Sequence, residues 1–344
     1  MWRLFCPSCG FRGEEGKYYP FCPVCRGALE LEGEPPAFRP LLGEGRTPLV
    51  LRRTRVGELR FKLEYVNPTG SFKDRGVSPS VQLAKELGYR CVVEDSSGNA
   101  GISTAAFAAY LGLEARIAVP STAPPGKREL LRALGASVVE LPSREEAMRY
   151  AEAMSSTCFY VSHSRSAVFL EGMKSVGSEL PDDVKSVIVP SASFSLLLGI
   201  WRGSRRRPRL FAVQGTSNPT LSKYLRPLAV GATNESKLAD GLVLREAPRA
   251  RQAAEAVRES GGGLVLVSDK EIAAATKELW SMGFMVEPTS ATAYAAASLL
   301  HENGFDLDGA VLLLTGSGLK MYDLISRLVS TSSSAPERRP QHTP

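Results

Sequence analysis

One decapeptide decides the fold of this 344-residue chain: Asn67-Pro68-Thr69-Gly70-Ser71-Phe72-Lys73-Asp74-Arg75-Gly76. Its proline and first glycine predict a turn, and Ser71 and Asp74 have the Ser-x-x-Asp spacing of a helix-capping pattern. The predicted helix runs to about Gly88 and has Lys73 in its first turn. The helix dipole and the unpaired amides of that turn favour a neutral lysine amine. A neutral amine suits imine chemistry, and a solvated surface lysine is the alternative.

The composition is that of a globular protein with two domains and small additions. Hydrophobic residues make up 43% and charged residues 23% of the chain, and no run of about 18 apolar residues occurs. The first residues lack the apolar region of a signal peptide, so a cytoplasmic protein is predicted. The net charge is +6, but the basic residues are scattered apart from 205–207 and the tail. Binding of nucleic acid is therefore not predicted, and an anionic cofactor and substrate explain the charge as well.

Two Cys-x-x-Cys pairs stand in the first thirty residues. The four cysteines are Cys6, Cys9, Cys22 and Cys25. Two such knuckles can surround one tetrahedral zinc ion, and a short segment with little apolar content needs such a staple. A structural zinc ribbon is predicted, with two disulfides or a ribbon that has lost its metal as alternatives. The other cysteines, Cys91 and Cys158, are predicted to be small buried residues in strands.

Short apolar strands alternate regularly with helices after the lysine segment. The alternation predicts parallel strands joined by right-handed crossovers. The predicted domains are a zinc ribbon at 1–32, a large domain at 33–84 and 181–330, and a small domain at 85–180. The polar, Pro-rich residues 331–344 are predicted to be disordered.

Three polar loops follow apolar strands and should lie outside the carboxyl ends of the two sheets, where ligands bind in such folds. The first contains Ser96, Ser97, Asn99 and Ala100, and it leads into a helix of small residues. The second is Ser191-Ala192-Ser193-Phe194-Ser195, and the third starts at Thr315. Amides and hydroxyls that converge at the start of a helix favour anions, so the first two loops are candidate anion sites.

These motifs together resemble a known enzyme family. Four segments resemble those of pyridoxal-phosphate (PLP) enzymes of the tryptophan-synthase-β type, most closely threonine synthases. They are the lysine decapeptide, the Gly-Glu-Gly-x-Thr-Pro-Leu entry at 43–49, the Glu-Pro-x-Ser-Ala segment at 287–291 and the Thr-Gly-x-Gly-Leu-Lys motif at 315–320. The resemblance covers about residues 1–325. It implies the fold type II arrangement of two open twisted α/β domains with PLP in the cleft between them, plus the N-terminal zinc ribbon.

The resemblance also implies a role for each loop. Lys73 would form the imine with the cofactor and shuttle protons. Asn99 would bond the pyridoxal hydroxyl oxygen, and with Ser96, Ser97 and Ala100 it would hold the substrate carboxylate. The cofactor phosphate would lie against Ser191, Ala192, Ser193, Phe194 and Ser195. Thr315 would face the pyridine nitrogen as a neutral partner, which favours elimination or replacement over transamination.

Two positions depart from the family pattern. The 191–195 loop lacks the family's glycines, and Phe194 cannot cheaply adopt a positive φ, so a different loop conformation is predicted. The arginine that grips the phosphate of O-phosphohomoserine is replaced by Phe169, and Arg165 is the candidate to reach that anion instead. His163 is either a structural residue or a donor and proton relay beside it.

The first functional hypothesis is a threonine synthase-like lyase that converts O-phospho-L-homoserine and water into L-threonine and phosphate. A serine/threonine ammonia-lyase or a β-replacement enzyme on the same fold is the second, because the substrate-phosphate arginine is missing. The third is a cofactor-poor regulatory homologue, against which Lys73, Asn99 and Thr315 argue. The resemblance also implies a homodimer, since family members are commonly dimers.

Overall fold

The computed structural model describes residues 1–244 and 247–321. The predicted disordered tail at 331–344 and the end of the predicted large domain at 322–330 lie outside the described residues. Across the described ranges, no helix has both the length and the apolar character needed to cross a membrane.

The elements are numbered in chain order. The strands are β1 Trp2–Phe5, β2 Glu30–Gly33, β3 Leu49–Thr54, β4 Gly57–Lys62, β5 Cys91–Glu94, β6 Glu114–Pro120, β7 Ser137–Leu141, β8 Phe159–Tyr160, β9 Ser186–Pro190, β10 Arg209–Gly215, β11 Pro227–Val230, β12 Gly263–Val267 and β13 Ala310–Leu313. The helices are α1 Asp74–Glu86, α2 Asn99–Leu111, α3 Pro125–Ala133, α4 Arg144–Met154, α5 Ala167–Ser178, α6 Ser195–Gly203, α7 Ala250–Glu259, α8 Asp269–Ser281 and α9 Pro288–Glu302.

The larger sheet has the strand order β11-β12-β10-β9-β13-β4-β3. Its neighbouring strands are parallel, except that β3 runs antiparallel to β4 at one edge. The central strands β9 and β13 are buried along their whole length. Continuous apolar burial of this kind is expected where helices cover both faces of a parallel sheet.

The second sheet has the order β7-β6-β5-β8 and is parallel throughout. The predicted alternation of strands and helices is confirmed here, and β7 and α4 have the predicted bounds. All strands of this sheet fall within the predicted small domain at 85–180, although α5 packs against α1 and α6. The candidate loops follow β5, β9 and β13, as predicted, so they lie at the carboxyl ends of parallel strands.

The lysine helix α1 is fastened to the molecule by a buried ion network. The Arg75 guanidinium donates to both carboxylate oxygens of Glu64, at 2.6 and 2.8 Å, and to those of Glu179, at 2.5 and 2.8 Å. Lys62 donates to Glu179 at 2.6 Å from the end of β4. Burial acts to raise the pKa of Glu179, but the hydrogen bonds from Arg75 and Lys62 outweigh it and hold this pKa at about 2.

The N-terminal module, residues 1–33, packs against strand β8 and the start of helix α7. Strands β1 and β2 form an antiparallel pair. The Tyr18 ring stacks on Phe159 with centroids 3.9 Å apart, and its hydroxyl donates to the Tyr160 carbonyl at 2.7 Å. At the other end of the module, the buried Glu30 carboxylate accepts a hydrogen bond from the fully buried Arg249 at 2.6 Å. The module is therefore an integrated part of the fold.

Two local predictions are wrong. The start of α1 has no capping box, because Ser71 Oγ is buried without a hydrogen-bond partner among the described residues. The Asp74 carboxylate accepts instead from the Thr69 amide at 2.7 Å and the Thr69 hydroxyl at 2.5 Å, so it closes the preceding turn. Cys91 and Cys158 are not separate buried thiols: they form a disulfide between the start of β5 and the residue before β8.

Candidate active site

Lys73 is the N-cap residue of α1, one position before the predicted first turn. Its amine lies among aromatic rings, with Nζ 4.6 Å from the ring centroid of Phe72 and 5.6 Å from that of Phe169. Burial lowers the pKa of Lys73 to about 8, and the charges of Glu94 and Glu287 only partly oppose the shift. A neutral amine is therefore accessible near physiological pH, as the nucleophile of an imine requires.

Asn99 begins α2 and links the two sheets across the cleft. Its Nδ2 donates to the Glu287 carboxylate at 3.1 Å, and its Oδ1 accepts from Lys320 Nζ at 2.5 Å. Burial raises the pKa of Glu287 and lowers that of Lys320. The three side chains form a polar cluster at the place where the resemblance expects the pyridine ring.

The other residues of the loop after β5 turn tightly around the start of α2. The Gly98 amide donates to Ser96 Oγ at 3.2 Å, while Ser97 is half-buried and Ala100 is buried. A Cβ atom at Gly101 would lie 1.8 Å from the Ser96 carbonyl oxygen, so the turn requires glycine there. This geometry suits the predicted carboxylate site, which stays a prediction.

The loop at 191–195 differs from the sequence prediction. Phe194 has φ 63° and ψ −1°, so the expectation that it avoids a positive φ is wrong. The physical reason is packing, because the Phe194 side chain is only 2% exposed and lies in the main hydrophobic cluster. A left-handed phenylalanine costs about 1–2 kcal/mol, a strain typical of functional loops. The backbone thereby takes the left-handed turn that glycine would otherwise supply.

Around Phe194, the loop offers hydroxyls at the start of α6. Ser193 Oγ and Ser195 Oγ are 3.0 Å apart, and no side chain of residues 1–244 or 247–321 caps α6. Ser191 is turned away from them, since its hydroxyl donates to the Val189 carbonyl at 2.7 Å. Ala192 is half-buried beside it. The uncapped helix terminus and two hydroxyls form a place for an anion.

Thr315 follows β13 and is 2% exposed. Its Oγ1 lies 3.1 Å from Ser290 Oγ, and its carbonyl accepts from the Phe72 amide at 3.0 Å. The second contact places Thr315 directly beside the lysine turn. Ser290 was not among the predicted site residues, although it lies in the quoted Glu-Pro-x-Ser-Ala segment.

Arg165 lies away from these groups. Its guanidinium donates to Glu152 at 2.5 Å and stacks 4.8 Å from the Phe21 ring centroid in the N-terminal module. A role in substrate binding would require the buried Arg165 to leave Glu152, so the geometry does not support that prediction. Phe169 is fully buried and faces the Lys73 amine.

Three charged residues near the lysine were missed by sequence reasoning. Glu287 and Lys320 lie inside quoted motifs, and Glu94 ends the apolar strand β5. An acid that ends a buried apolar strand was the available signal for Glu94. Its Oε1 lies 2.5 Å from His163 Nδ1.

The four N-terminal cysteines come together as predicted. Cys6 and Cys25 have sulfur atoms 3.5 Å apart, as do Cys9 and Cys22, and all four sulfurs lie within 4.8 Å of one another. Tetrahedral zinc–thiolate bonds of about 2.3 Å imply sulfur separations of about 3.8 Å. The donor set therefore fits one zinc ion.

Comparison with known proteins identifies the family of this chain. A profile described as pyridoxal-phosphate dependent enzyme matches residues 40–316. Threonine synthase of Methanocaldococcus jannaschii is 30% identical over 314 residues, covering 83% of this chain and 78% of that protein. Threonine synthase of Mycobacterium bovis is 27% identical over 312 residues, covering 85% of this chain and 87% of that protein.

Solved structures share the fold. O-ureido-L-serine synthase has a TM-score of 0.72 at 22% identity, covering 88% of this chain and 98% of that one. The processed form of threonine deaminase isoform 2 from Solanum lycopersicum has a TM-score of 0.70 at 21% identity, covering 83% and 84%. The predicted fold class and resemblance are confirmed. From its lysine turn to its closing motif, the chain belongs to the pyridoxal-phosphate dependent enzyme family.

Proposed function

We propose that this protein is a PLP-dependent threonine synthase, a carbon–oxygen lyase that converts O-phospho-L-homoserine and water into L-threonine and phosphate. The observation that carries the proposal is Lys73, a buried amine whose pKa is lowered to about 8, in the turn whose Phe72 amide donates to the Thr315 carbonyl. Relatives named threonine synthase, which align over four-fifths of the chain, support the same reading.

The residues present fit the cofactor. Ser193, Ser195 and the α6 amides suit its phosphate, and Ser191, Ala192 and Phe194 complete that loop. Thr315 offers a neutral hydroxyl to the pyridine nitrogen, and Asn99 an amide to the ring hydroxyl. When bound, PLP supplies an electron sink that stabilises negative charge on the substrate carbons.

The protein's own groups would then divide the work. Lys73 would anchor the cofactor through its amine and, with substrate bound, would carry protons between the substrate carbon atoms. The amides and hydroxyls of Ser96, Ser97 and Ala100 hold and orient the substrate carboxylate. Because the Thr315 hydroxyl is uncharged, it does not force a proton onto the ring, which suits elimination and addition of water.

Lys127 is the best candidate to bind the substrate phosphate in place of the missing arginine. It lies on α3 and reaches across the cleft to Asp240, with Nζ and Oδ2 3.0 Å apart. Its charge acts on both Glu287 and Lys320, so it belongs to the electrostatic surroundings of the cleft. The Lys127–Asp240 pair is partly exposed and can exchange Asp240 for an incoming phosphate at modest cost.

A second candidate function is a serine/threonine ammonia-lyase or a PLP-dependent β-replacement enzyme. The observation that favours it is Phe169, a fully buried apolar ring beside Lys73 where threonine synthases have a phosphate-binding arginine. A substrate with a small uncharged leaving group needs no cation at that place.

Product analysis separates the candidates. PLP-loaded protein should release equal amounts of threonine and phosphate from O-phosphohomoserine and little 2-oxo acid from serine or threonine. Lys73→Ala is the control for background hydrolysis. Release of 2-oxo acid and ammonia from serine or threonine, with O-phosphohomoserine left intact, would replace the proposal with the ammonia-lyase.

The N-terminal module is proposed to hold one structural zinc ion through Cys6, Cys9, Cys22 and Cys25. The sulfur separations support this assignment. A zinc content near one per chain, lost together with thermal stability on chelation, is the expected result. Cytoplasmic location and a homodimer remain part of the proposal, and size measurement in solution tests the dimer.

A further inference from the structure

Lys320, the last residue of the closing motif at 315–320, uses all of its hydrogen-bond donors. Its Nζ donates to the Thr69 carbonyl at 3.1 Å, to the Gly70 carbonyl at 3.2 Å and to Asn99 Oδ1 at 2.5 Å. A lysine ammonium has three N–H donors and no acceptor, so these three oxygens complete its set. No step of the proposed function uses Lys320, so this arrangement requires a physical reason.

The three oxygens belong to two separate parts of the molecule. Thr69 and Gly70 lie in the turn that precedes Lys73, whereas Asn99 begins α2, directly after the loop that follows β5 of the smaller sheet. Lys320 itself comes after β13 of the larger sheet. One amine therefore ties the closing motif both to the lysine turn and to the first residue of α2.

The side of Lys320 that faces the lysine turn rests on fixed backbone. Gly70 has φ 79°, and a Cβ atom there would lie 3.5 Å from both Cε and Nζ of Lys320. The Gly70 carbonyl also accepts from the Ser317 amide at 2.9 Å, so its position is set by the closing motif as well. With two N–H groups held by this backbone, the third N–H of Lys320 is directed at Asn99.

The contacts of Asn99 determine which end of its amide meets which neighbour. Because an ammonium can only donate, the atom that meets Lys320 is the oxygen Oδ1. Nδ2 therefore lies on the other side, where it donates to the two Glu287 carboxylate oxygens at 3.1 and 3.2 Å. Glu287 alone would define the amide less strictly, since burial raises its pKa and a carboxylic acid can donate as well as accept.

We propose that Lys320 is the positioning residue of Asn99: by holding Oδ1, it keeps Nδ2 of the same amide available as a donor to the bound cofactor. Nδ2 has two N–H groups, so it can serve the ring hydroxyl oxygen of PLP and retain a bond to Glu287. A side chain that is already held in its working orientation loses less conformational freedom when the ligand binds. The role of Asn99 toward PLP rests on the proposed function, whereas the hold of Lys320 on Asn99 does not.

A double-mutant cycle on PLP binding tests the proposal without any substrate. Cofactor-free protein is titrated with PLP, and the dissociation constant is obtained from the growth of the imine absorption band. Lys320→Met should raise this constant about tenfold, because Asn99 loses the charge-assisted hydrogen bond that positions it. In an Asn99→Ala background the same substitution should change the constant by less than about twofold, since Lys320 acts through Asn99.

The cycle distinguishes a positioning residue from a merely structural one, whose loss would weaken PLP binding by the same factor in both backgrounds. Equal factors, or an unchanged dissociation constant in Lys320→Met, would overturn the proposal. Lys85→Met is the matched control, because Lys85 Nζ also donates to a backbone carbonyl, that of Leu111 at 3.2 Å. This control should leave PLP binding unchanged.

A crystal structure of the native protein with PLP bound gives a second test if Lys320→Met does not fold. Lys320 Nζ should remain within hydrogen-bond distance of Asn99 Oδ1, with Nδ2 facing the ring hydroxyl oxygen. A Lys320 side chain turned away from Asn99, or an amide that presents Oδ1 to the cofactor, would also overturn the proposal. Neither test uses a substrate, so both remain decisive if O-phosphohomoserine is not the substrate, and the two proposals fail separately.

Discussion

Lys73 and Arg75 stand two residues apart at the start of one helix, yet the structure treats their charges in opposite ways. Arg75 is 3% exposed and donates to two carboxylates, those of Glu64 and Glu179. Lys73 has aromatic rings for neighbours, and its pKa falls to about 8. One cation is fixed in its charged form, and the other is prepared to lose its proton.

The comparison shows that two buried cations on one helix turn can serve different purposes, one stability and the other reactivity, depending on their partners. A buried charge with complete partners stabilises one conformation but cannot change its protonation state cheaply. A buried charge with incomplete partners is less stable and more reactive, as functional groups commonly are. Glu179 and Glu94 repeat the contrast: the first accepts hydrogen bonds from Arg75 and Lys62, and the Oε2 atom of the second has no hydrogen-bond partner in the described part of the chain.

The largest effect is expected at Lys73 itself. Lys73→Ala should remove the imine absorption band and reduce turnover by about 10³-fold or more, because both nucleophile and proton carrier are lost. Absorbance and product assays with O-phosphohomoserine measure the change. Activity close to that of the native protein would contradict the assignment.

Removing the charge of Glu64 tests the structural role of the buried Arg75 ion network. Glu64→Gln should lower the free energy of unfolding by about 3–5 kcal/mol, because Arg75 keeps its charge in a buried place with one carboxylate fewer. Urea denaturation measures the loss. Asp308→Asn removes an acid from an exposed pair with Lys185 and should cost about 0.5 kcal/mol or less. Equal losses in the two variants would contradict the role given to the network.

Acid should weaken the same network in a defined range. The pKa of Glu179 is about 2 in the folded protein against an ordinary value of 4.5, so its contribution is complete above pH 4.5 and is lost as the pH falls toward 2. The loss amounts to about 3 kcal/mol. Glu179→Gln should differ most from the native protein above pH 4.5, and this difference should shrink at pH 3. A difference independent of pH would contradict the prediction.

The smallest effect is expected when Lys127 and Arg165 are compared as binders of the substrate phosphate. Lys127→Ala should raise the KM for O-phosphohomoserine about tenfold, the value of one charge-assisted hydrogen bond. Arg165→Ala should lower thermal stability with little change in KM, since Arg165 is committed to Glu152 and Phe21. Steady-state kinetics and thermal unfolding measure both variants, and a reversal of the two KM effects would return the phosphate site to Arg165.

Several parts of the site were predictable because they depend on local chemistry. The lysine turn, the strand-loop-helix order around Asn99 and the cysteine spacing are set by turn residues, alternation and ligand type. The capping of α1 could not be predicted, because the hydrogen-bond partners of Ser71 and Asp74 are set by the folded turn. The conformation of Phe194 was also missed, since core packing overrides its intrinsic preference.

The sequence by itself determined the family, the order of the elements and the lysine proposed to carry the chemistry, since each depends on short-range patterns. Only the tertiary structure decided how the charges are partnered. It paired Arg165 with Glu152, joined Cys91 to Cys158 and brought Glu94 and His163 together. The physical reason is that a side chain's pKa and role depend on burial and on neighbours distant in the chain, which spacing cannot specify.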